Sequence, residues 1–412
     1  MSSAHPPSTP SSDHAVVTPI DTRQGYLDAV AAISAGHGPI AIDAERASGF
    51  RYSQRAYLIQ IFRRDAGTFL FDPPAVGEFD ELNAAIGGAE WVLHAASQDL
   101  ACLREVGLQP TKIFDTELGA RLAGLPRVGL GTVVESLLGI HLAKEHSAAD
   151  WSTRPLPSSW LIYAALDVEL LVDLRDAVAA LLETQGKSEI ASAEFDAVLH
   201  REPRAGSRGE GWRRLSGVSS IKGTKNLAVA RELWEARDRY AQEIDTAPGR
   251  LVPDASLVAA AKVLPPTKRE LAALKDFNGR ASRSELDRWW TAIEVGSAST
   301  DTPQLRTNGD SLPPPRAWST RNPEADARLK LARARITELS TELSIPVENV
   351  LTPDILRRLA WNPPEPGTPS AIGAELDGLG ARQWQIDATA QLIAEAFVDA
   401  GQTTEPTAEA SS

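Results

Sequence analysis

Between residues 20 and 185 the chain alternates short apolar runs with segments of helical period. Pro39-Ile40-Ala41-Ile42-Asp43 is apolar and ends in an acid, Tyr57 to Phe62 is rich in β-formers, and Gly67 to Phe71 closes at Asp72-Pro73-Pro74. A fourth run, Trp91-Val92-Leu93-His94, leads into a helical segment from Ser97 to Val106, with Ser97 as candidate N-cap. Short apolar runs bounded by turn residues predict strands, and strands interleaved with helices predict an α/β sheet. The first three runs follow one another without a helix between them, so a meander, and hence a mixed sheet, is expected.

Past residue 186 the strand signals stop. Leu227, Ala230, Leu233 and Trp234 recur at helical spacing within 224–246, and Pro248-Gly249, Pro253 and Pro265-Pro266 punctuate shorter helices beyond. A Ser/Thr/Pro-rich stretch from Gly296 to Pro315 reads as a linker, and long helices are expected near 323–343 and 381–399. The expected organisation is a tail over 1–19, an α/β domain over 20–200, a helical domain over 218–297, a linker over 298–316, a second helical domain over 317–400 and a tail over 401–412. The two helical blocks read as diverged copies of one module. A length of 412 residues agrees with two or three cores.

Composition narrows the class. Apolar residues make up 42% and charged residues 24%, as in globular proteins. No run approaches the roughly 18 apolar residues of a membrane span, and the N-terminal text lacks the pattern of a secretory signal. The single cysteine, Cys102, excludes an intramolecular disulfide or a cysteine-built zinc site and fits a reducing cytoplasm. The net charge of −13 is uneven: residues 201–290 hold 18 Lys and Arg against 12 Asp and Glu, a local +6, which leaves −19 elsewhere. The basic stretch is either a solvated helical surface or a phosphate-binding footprint, and part of the acidic excess is available to hold cations.

Three acidic fragments carry candidate chemistry. Asp43 and Glu45 end a strand and share a face by alternation. Asp99 opens a helical segment just after the strand at Trp91. Tyr163 and Asp167 stand four apart in a helical run, on one helix face. Taken singly, each has a plain structural reading: an acidic loop, a first-turn charge, a tyrosine over a solvated acid. Together they suit phosphodiester cleavage with two divalent ions, which needs several carboxylates converging on hard cations such as Mg²⁺ or Mn²⁺. A tyrosine hydroxyl beside them would orient the attacking water rather than act as a strong base.

In this order the motifs resemble the DEDD exonucleases, in the subclass where tyrosine precedes the last aspartate by four residues. The surrounding text resembles ribonuclease D: Asp43-Ala44-Glu45, then Tyr57-Leu58-Ile59-Gln60-Ile61, then His94-Ala95-Ala96-Ser97-Gln98-Asp99-Leu100. Ile113-Phe114-Asp115-Thr116, Ser136-Leu137-Leu138-Gly139-Ile140 and Asp150-Trp151-Ser152-Thr153-Arg154-Pro155-Leu156 continue it, over roughly residues 20–185. The resemblance implies a ribonuclease H-like α/β exonuclease domain with a mixed sheet. It also implies that Asp43, Glu45 and Asp167 hold the metal beside the attacking water, that Asp43 bridges to a second metal helped by Asp99, and that Tyr163 positions the nucleophile. Two departures stand out. Ala44 replaces a common threonine, and Arg46 to Arg55 differs from the family's usual text, so contacts to the 3′ end are not carried over there. His94 and Asp99 have the spacing that ends the histidine subclass, but that reading would orphan Tyr163 and Asp167, so His94 is read as a strand-end residue near the site. Asp115 and Asp150 read as caps or turns, and Arg154 as a phosphate contact or a salt bridge.

Residues 218–297 resemble the HRDC domain, a helical nucleic-acid-binding module, through Asn226 to Trp234, Arg250 to Asp254, Leu264-Pro265-Pro266 and Arg283 to Leu286. Residues 317–400 would be a second HRDC-like unit, giving an α/β domain followed by one or two all-α HRDC-like domains. Candidate phosphate contacts are Arg213, Arg214, Lys222, Lys225, Arg231, Lys268 and Arg269; Trp212 is a candidate for base stacking, while Trp234, Trp289 and Trp290 are read as core. The resemblance implies a 3′→5′ exoribonuclease that releases 5′-mononucleotides from structured RNA, tRNA precursors foremost; a monomer without a membrane partner is expected. The same carboxylates would serve a DNA 3′→5′ exonuclease, and a non-catalytic RNA-binding scaffold is the alternative from another class. Removal of residues 201–412 is expected to weaken RNA binding while chemistry on short oligonucleotides survives.

Overall fold

The computed structural model describes residues 18–142, 149–201, 210–304 and 312–404. Five strands form one mixed sheet: β1 (His37–Arg46), β2 (Ala56–Arg64), β3 (Gly67–Phe71), β4 (Trp91–Leu93) and β5 (Ile113–Asp115), in the order β3-β2-β1-β4-β5. β1, β2 and β3 pair antiparallel as a meander, while β4 pairs parallel with both β1 and β5. The mixed sheet expected from the sequence is therefore present. β5 was not among the four runs read as strands: it holds two apolar residues before Asp115, where the equally short β4 holds three.

The sheet places the acids by alternation. Ile42 and Ala44 on β1, with Ile59 and Ile61 on β2, join the main core. The intervening Asp43 and Glu45 are paired across the strands with Gln60 and Leu58. Leu58 and Leu70 lie under the helix Ser158–Glu169, in a second cluster with Trp151, Leu161, Ala164 and Ala165. Burying apolar area there, at about 25 cal/mol per Å², fixes that helix over the acidic strand.

Two expectations need correction. Ser97 is not a helix N-cap: Ala96–Gln98 form a 3₁₀ turn, and Asp99 itself precedes the helix Leu100–Glu105 without a side-chain cap bond. Trp212 is not free to stack on a base. It is 1% exposed in the core of the first helical module with Leu233, Phe277 and Trp289.

That module comprises Thr224–Glu243, Pro248–Leu251, Asp254–Val263, Lys268–Ala273 and Leu286–Ala298. Its core reaches back to Trp212 and Leu215, ahead of the expected start at 218, and Trp234 and Trp290 flank it partly buried. The second module repeats the order long helix, single turn, two shorter helices, long helix: Pro323–Leu343, Val347–Val350, Pro353–Trp361, Pro369–Gly378 and Gln383–Thr404. It shares the main core of the α/β domain through residues such as Ile336, Leu359 and Ile393. Buried Glu194 seals the junction, accepting from Arg382 at 2.6 and 2.7 Å and from Trp384 Nε1 at 2.8 Å.

Candidate active site

All five residues singled out by motif line one cleft of about 490 Å³: Asp43, Glu45, Asp99, Tyr163 and Asp167. Oxygen atoms of Asp43, Glu45 and Asp167 lie within 4.8 Å of one another. Asp99 is outside that group of three, although its charge is felt at Glu45 and it feels that of Asp43. Three carboxylates so close and so poorly hydrated resist ionisation. Burial and then the charges of Asp43, Asp167 and Asp99 push Glu45 up to about 10. Burial and then Asp43 push Asp167 up to about 8, against a hydrogen bond from Tyr163. Asp43 and Asp99 are raised as well, burial again being the first cause. An all-oxygen set of this kind fits a hard divalent cation, whose charge would reverse these shifts.

Tyr163 sits one helical turn before Asp167 and is hydrogen-bonded to it. Burial and the neighbouring carboxylates raise its pKa above the ordinary phenol value, so it is a neutral O–H donor. Asp99 is held by a local device that the sequence showed only in part. Asp115 caps the helix Thr116–Leu122 through the Glu117 and Leu118 amides at 3.0 and 3.1 Å. Its carboxylate also accepts from the Ala95 and Ala96 amides at 3.0 and 2.9 Å. These bonds pin Ala95 at φ 64°, a left-handed conformation costing a non-glycine residue roughly 1–2 kcal/mol, and so set the turn that delivers Asp99.

His94 also lines the cleft, as a strand-end residue should. Burial lowers it to about 4, leaving it neutral, and its Nδ1 lies 2.9 Å from Thr116 Oγ1. Asp150 makes a local turn, accepting from the Ser152 amide and hydroxyl at 3.2 and 2.6 Å. Arg154 is occupied by protein: it donates to Asp72 at 2.6 and 2.9 Å, to Tyr57 O at 2.8 Å and to Trp151 O at 2.8 Å. Of its two readings the salt bridge is the one observed.

The divergent stretch after the acidic motif docks the first helical module. Tyr52 Oη donates to Asp238 at 3.1 Å, while the Ser53 amide and Tyr57 Oη donate to Asp245 at 2.9 and 3.2 Å. The Ala247 amide donates to Phe50 O at 3.0 Å, and Arg250 bonds Gly49 O and stacks 3.8 Å over the Phe50 ring. Arg46 and Ser48, at the near end of this stretch, line the cleft. Sequence reasoning missed both, since neither belongs to one of the acidic motifs.

A mixed sheet whose first strand carries paired acids, crossed by a helix carrying Tyr163 and Asp167, defines a 3′→5′ exonuclease. Comparisons agree. Residues 17–183 match a 3′-5′ exonuclease family, 226–293 the HRDC domain and 311–397 a 3′ to 5′ exonuclease C-terminal domain. Ribonuclease D of Pseudomonas paraeruginosa is 32% identical over 276 residues, 65% of this chain and 69% of that protein. Ribonuclease D of Gluconacetobacter diazotrophicus is 33% identical over 191 residues, 45% of this chain and 47% of that one. Among solved structures, a protein from Bifidobacterium adolescentis is 36% identical with TM-score 0.84, covering 94% of this chain and 98% of its own. Escherichia coli RNase D, 24% identical with TM-score 0.69 and covering 95% and 100%, has the same fold. The chain belongs to the ribonuclease D family, and as an enzyme it is a 3′→5′ exoribonuclease.

Proposed function

We propose that the chain trims the 3′ ends of structured RNA, tRNA precursors among them, releasing 5′-mononucleotides with the help of two divalent ions, Mg²⁺ or Mn²⁺. The observation that carries the reading is the convergence of Asp43, Glu45 and Asp167 within 4.8 Å, beside Tyr163 in the same cleft. The E. coli relative is described as an exoribonuclease involved in structured RNA processing, which supports the substrate class.

Asp43, Glu45 and Asp167 would hold one ion, and Asp43 with Asp99 the other; the position of Asp99 outside the close group of three supports this division. When bound, such ions lower the pKa of water and offset the charge that grows on the leaving oxygen. Tyr163 donates its O–H to Asp167 and leaves its phenol lone pairs to accept from the attacking water, orienting it toward phosphorus. Asp115 holds the turn before Asp99, and Asp72 holds Arg154 out of the chemistry.

The test uses a labelled tRNA precursor and single-stranded DNA, each with Mg²⁺ or Mn²⁺, beside Asp43→Asn and a chelator control. Wild type should release mononucleotides from RNA, and the variant should lose about 100-fold or more, as expected when a group in a charge-stabilising site is removed. Release from neither polymer would sink the proposal, and much faster release from DNA would reassign the substrate.

A further inference from the structure

We propose that Arg46 is a catalytic residue of this chain, its guanidinium gripping a non-bridging oxygen of the scissile phosphate. The inference rests on the carboxylate cleft being the hydrolytic site.

Geometry comes first. Arg46 lines the cleft with the four acids and Tyr163, and is half-buried there. Regular alternation would turn residue 46 away from the face of Glu45. The β1–β2 register slips at that step: Glu45 faces Leu58 but Arg46 faces Ala56, leaving Tyr57 as the extra residue. The extra residue is on β2, and a bulge of this kind bends its strand and sharpens the local twist of the pair, here beside the cleft that Arg46 lines. The chain just beyond is anchored, since Ala47 O accepts from the Phe50 and Arg51 amides at 3.0 and 2.9 Å and Arg51 Nε donates to Ser152 at 2.8 Å.

Charge comes second. The positive charge of Arg46 is felt at Asp43, Glu45 and Asp99. Yet among the described residues no ion pair joins it to any acid within 4.0 Å. Arg154, in contrast, is spent on Asp72 and backbone carbonyls. No other Lys or Arg lines the cleft among the described residues, and His94 is neutral there. A guanidinium near three acids and locked to none keeps its donors for an incoming phosphate, which it matches in planar, forked geometry.

The chemical role follows. Water oxygen bonds to phosphorus as the P–O3′ bond breaks; the water gives up one proton to solvent, and the departing 3′-oxygen takes one up. Negative charge on the non-bridging oxygens persists through this exchange, and a fixed arginine at such oxygens typically lowers the barrier to phosphoryl transfer.

Arg46→Ala, Arg46→Gln and Arg46→Lys are compared with wild type and Asp43→Asn, all full length, on an RNA dinucleotide at saturating Mn²⁺. Mn²⁺ binding is measured by calorimetry, and folding by thermal melting. Expected are a kcat loss of about 100-fold in the Ala and Gln variants, partial recovery in Lys, and Mn²⁺ bound at least as tightly because a like charge is gone. A kcat within about threefold of wild type in folded Arg46→Gln would overturn the proposal and leave Arg46 as a mere counter-ion. So would a loss abolished by raising Mn²⁺, which would make it a positioning residue for the metal. Wild-type activity in Asp43→Asn would instead sink the hydrolytic site on which the inference rests.

Discussion

Glu45 and Asp167 are carboxylates placed where carboxylates are costly. In the unfolded chain they titrate near 4; in the fold they are pushed up to about 10 and about 8. Between those limits the metal-free folded state binds more protons than the unfolded one. The slope of stability with pH is then negative: the protein is favoured below the unfolded values and loses that contribution as pH rises through the folded ones. In chelator, the melting temperature should fall from about pH 6 to about pH 9. Saturating Mn²⁺ should reverse the trend, because its ligands must be ionised. A chelated melting temperature that rises over this window would contradict the assignment. At this scale the acids and Tyr163 were legible, since strand alternation and i, i+4 spacing survive in the sequence. Arg46 was not, because it stands outside the acidic motifs and strand alternation alone would turn it from the face of Glu45. Nor was the double duty of Asp115, whose second pair of amides comes from a neighbouring strand end.

Among the elements, the long helices and the apolar runs of β1 to β4 were readable, whereas β5, with two apolar residues before Asp115, and the 3₁₀ turn at Ala96–Gln98 were not. The stretch 47–55 was legible only as a departure; its meaning lies in contacts to residues 238–250. Those contacts change the expectation that chemistry on short substrates is indifferent to the C-terminal half. Asp245 accepts from both Ser53 and Tyr57, so Asp245→Ala should release the wall that begins at Arg46. A loss of several-fold to about tenfold in kcat is expected on a dinucleotide, in line with second-layer support of a reaction site. Dinucleotide kinetics equal to wild type would show that the dock merely joins modules.

Across the whole molecule, the +6 balance of residues 201–290 resolves into spent and available charge. Arg213, Arg231 and Lys268 are paired with Glu210, Asp301 and Asp287. Arg214, Lys222, Lys225 and Arg269 are exposed, with no ion pair among the described residues. If they meet phosphates, Lys222→Gln with Lys225→Gln should weaken binding to long RNA and flatten the dependence of log K on log salt by about 1–2. The dinucleotide rate should stay as it was; an unchanged salt slope would remove this face from the RNA path. No described helix is long and apolar enough to cross a membrane.

The dock between residues 49–57 and 238–250 also sets an order of events during synthesis. Its hydrogen bonds join positions 186 to 201 apart in the chain. Domains fold as they emerge, N-terminal first, so the carboxylates meet while the wall beside them has only its bonds to Ala47 and Ser152. A ribosome must add residues as far as Arg250 before that wall is braced. Every residue that lines the cleft lies before position 172, so the nascent chain assembles its acids first and gains the dock last.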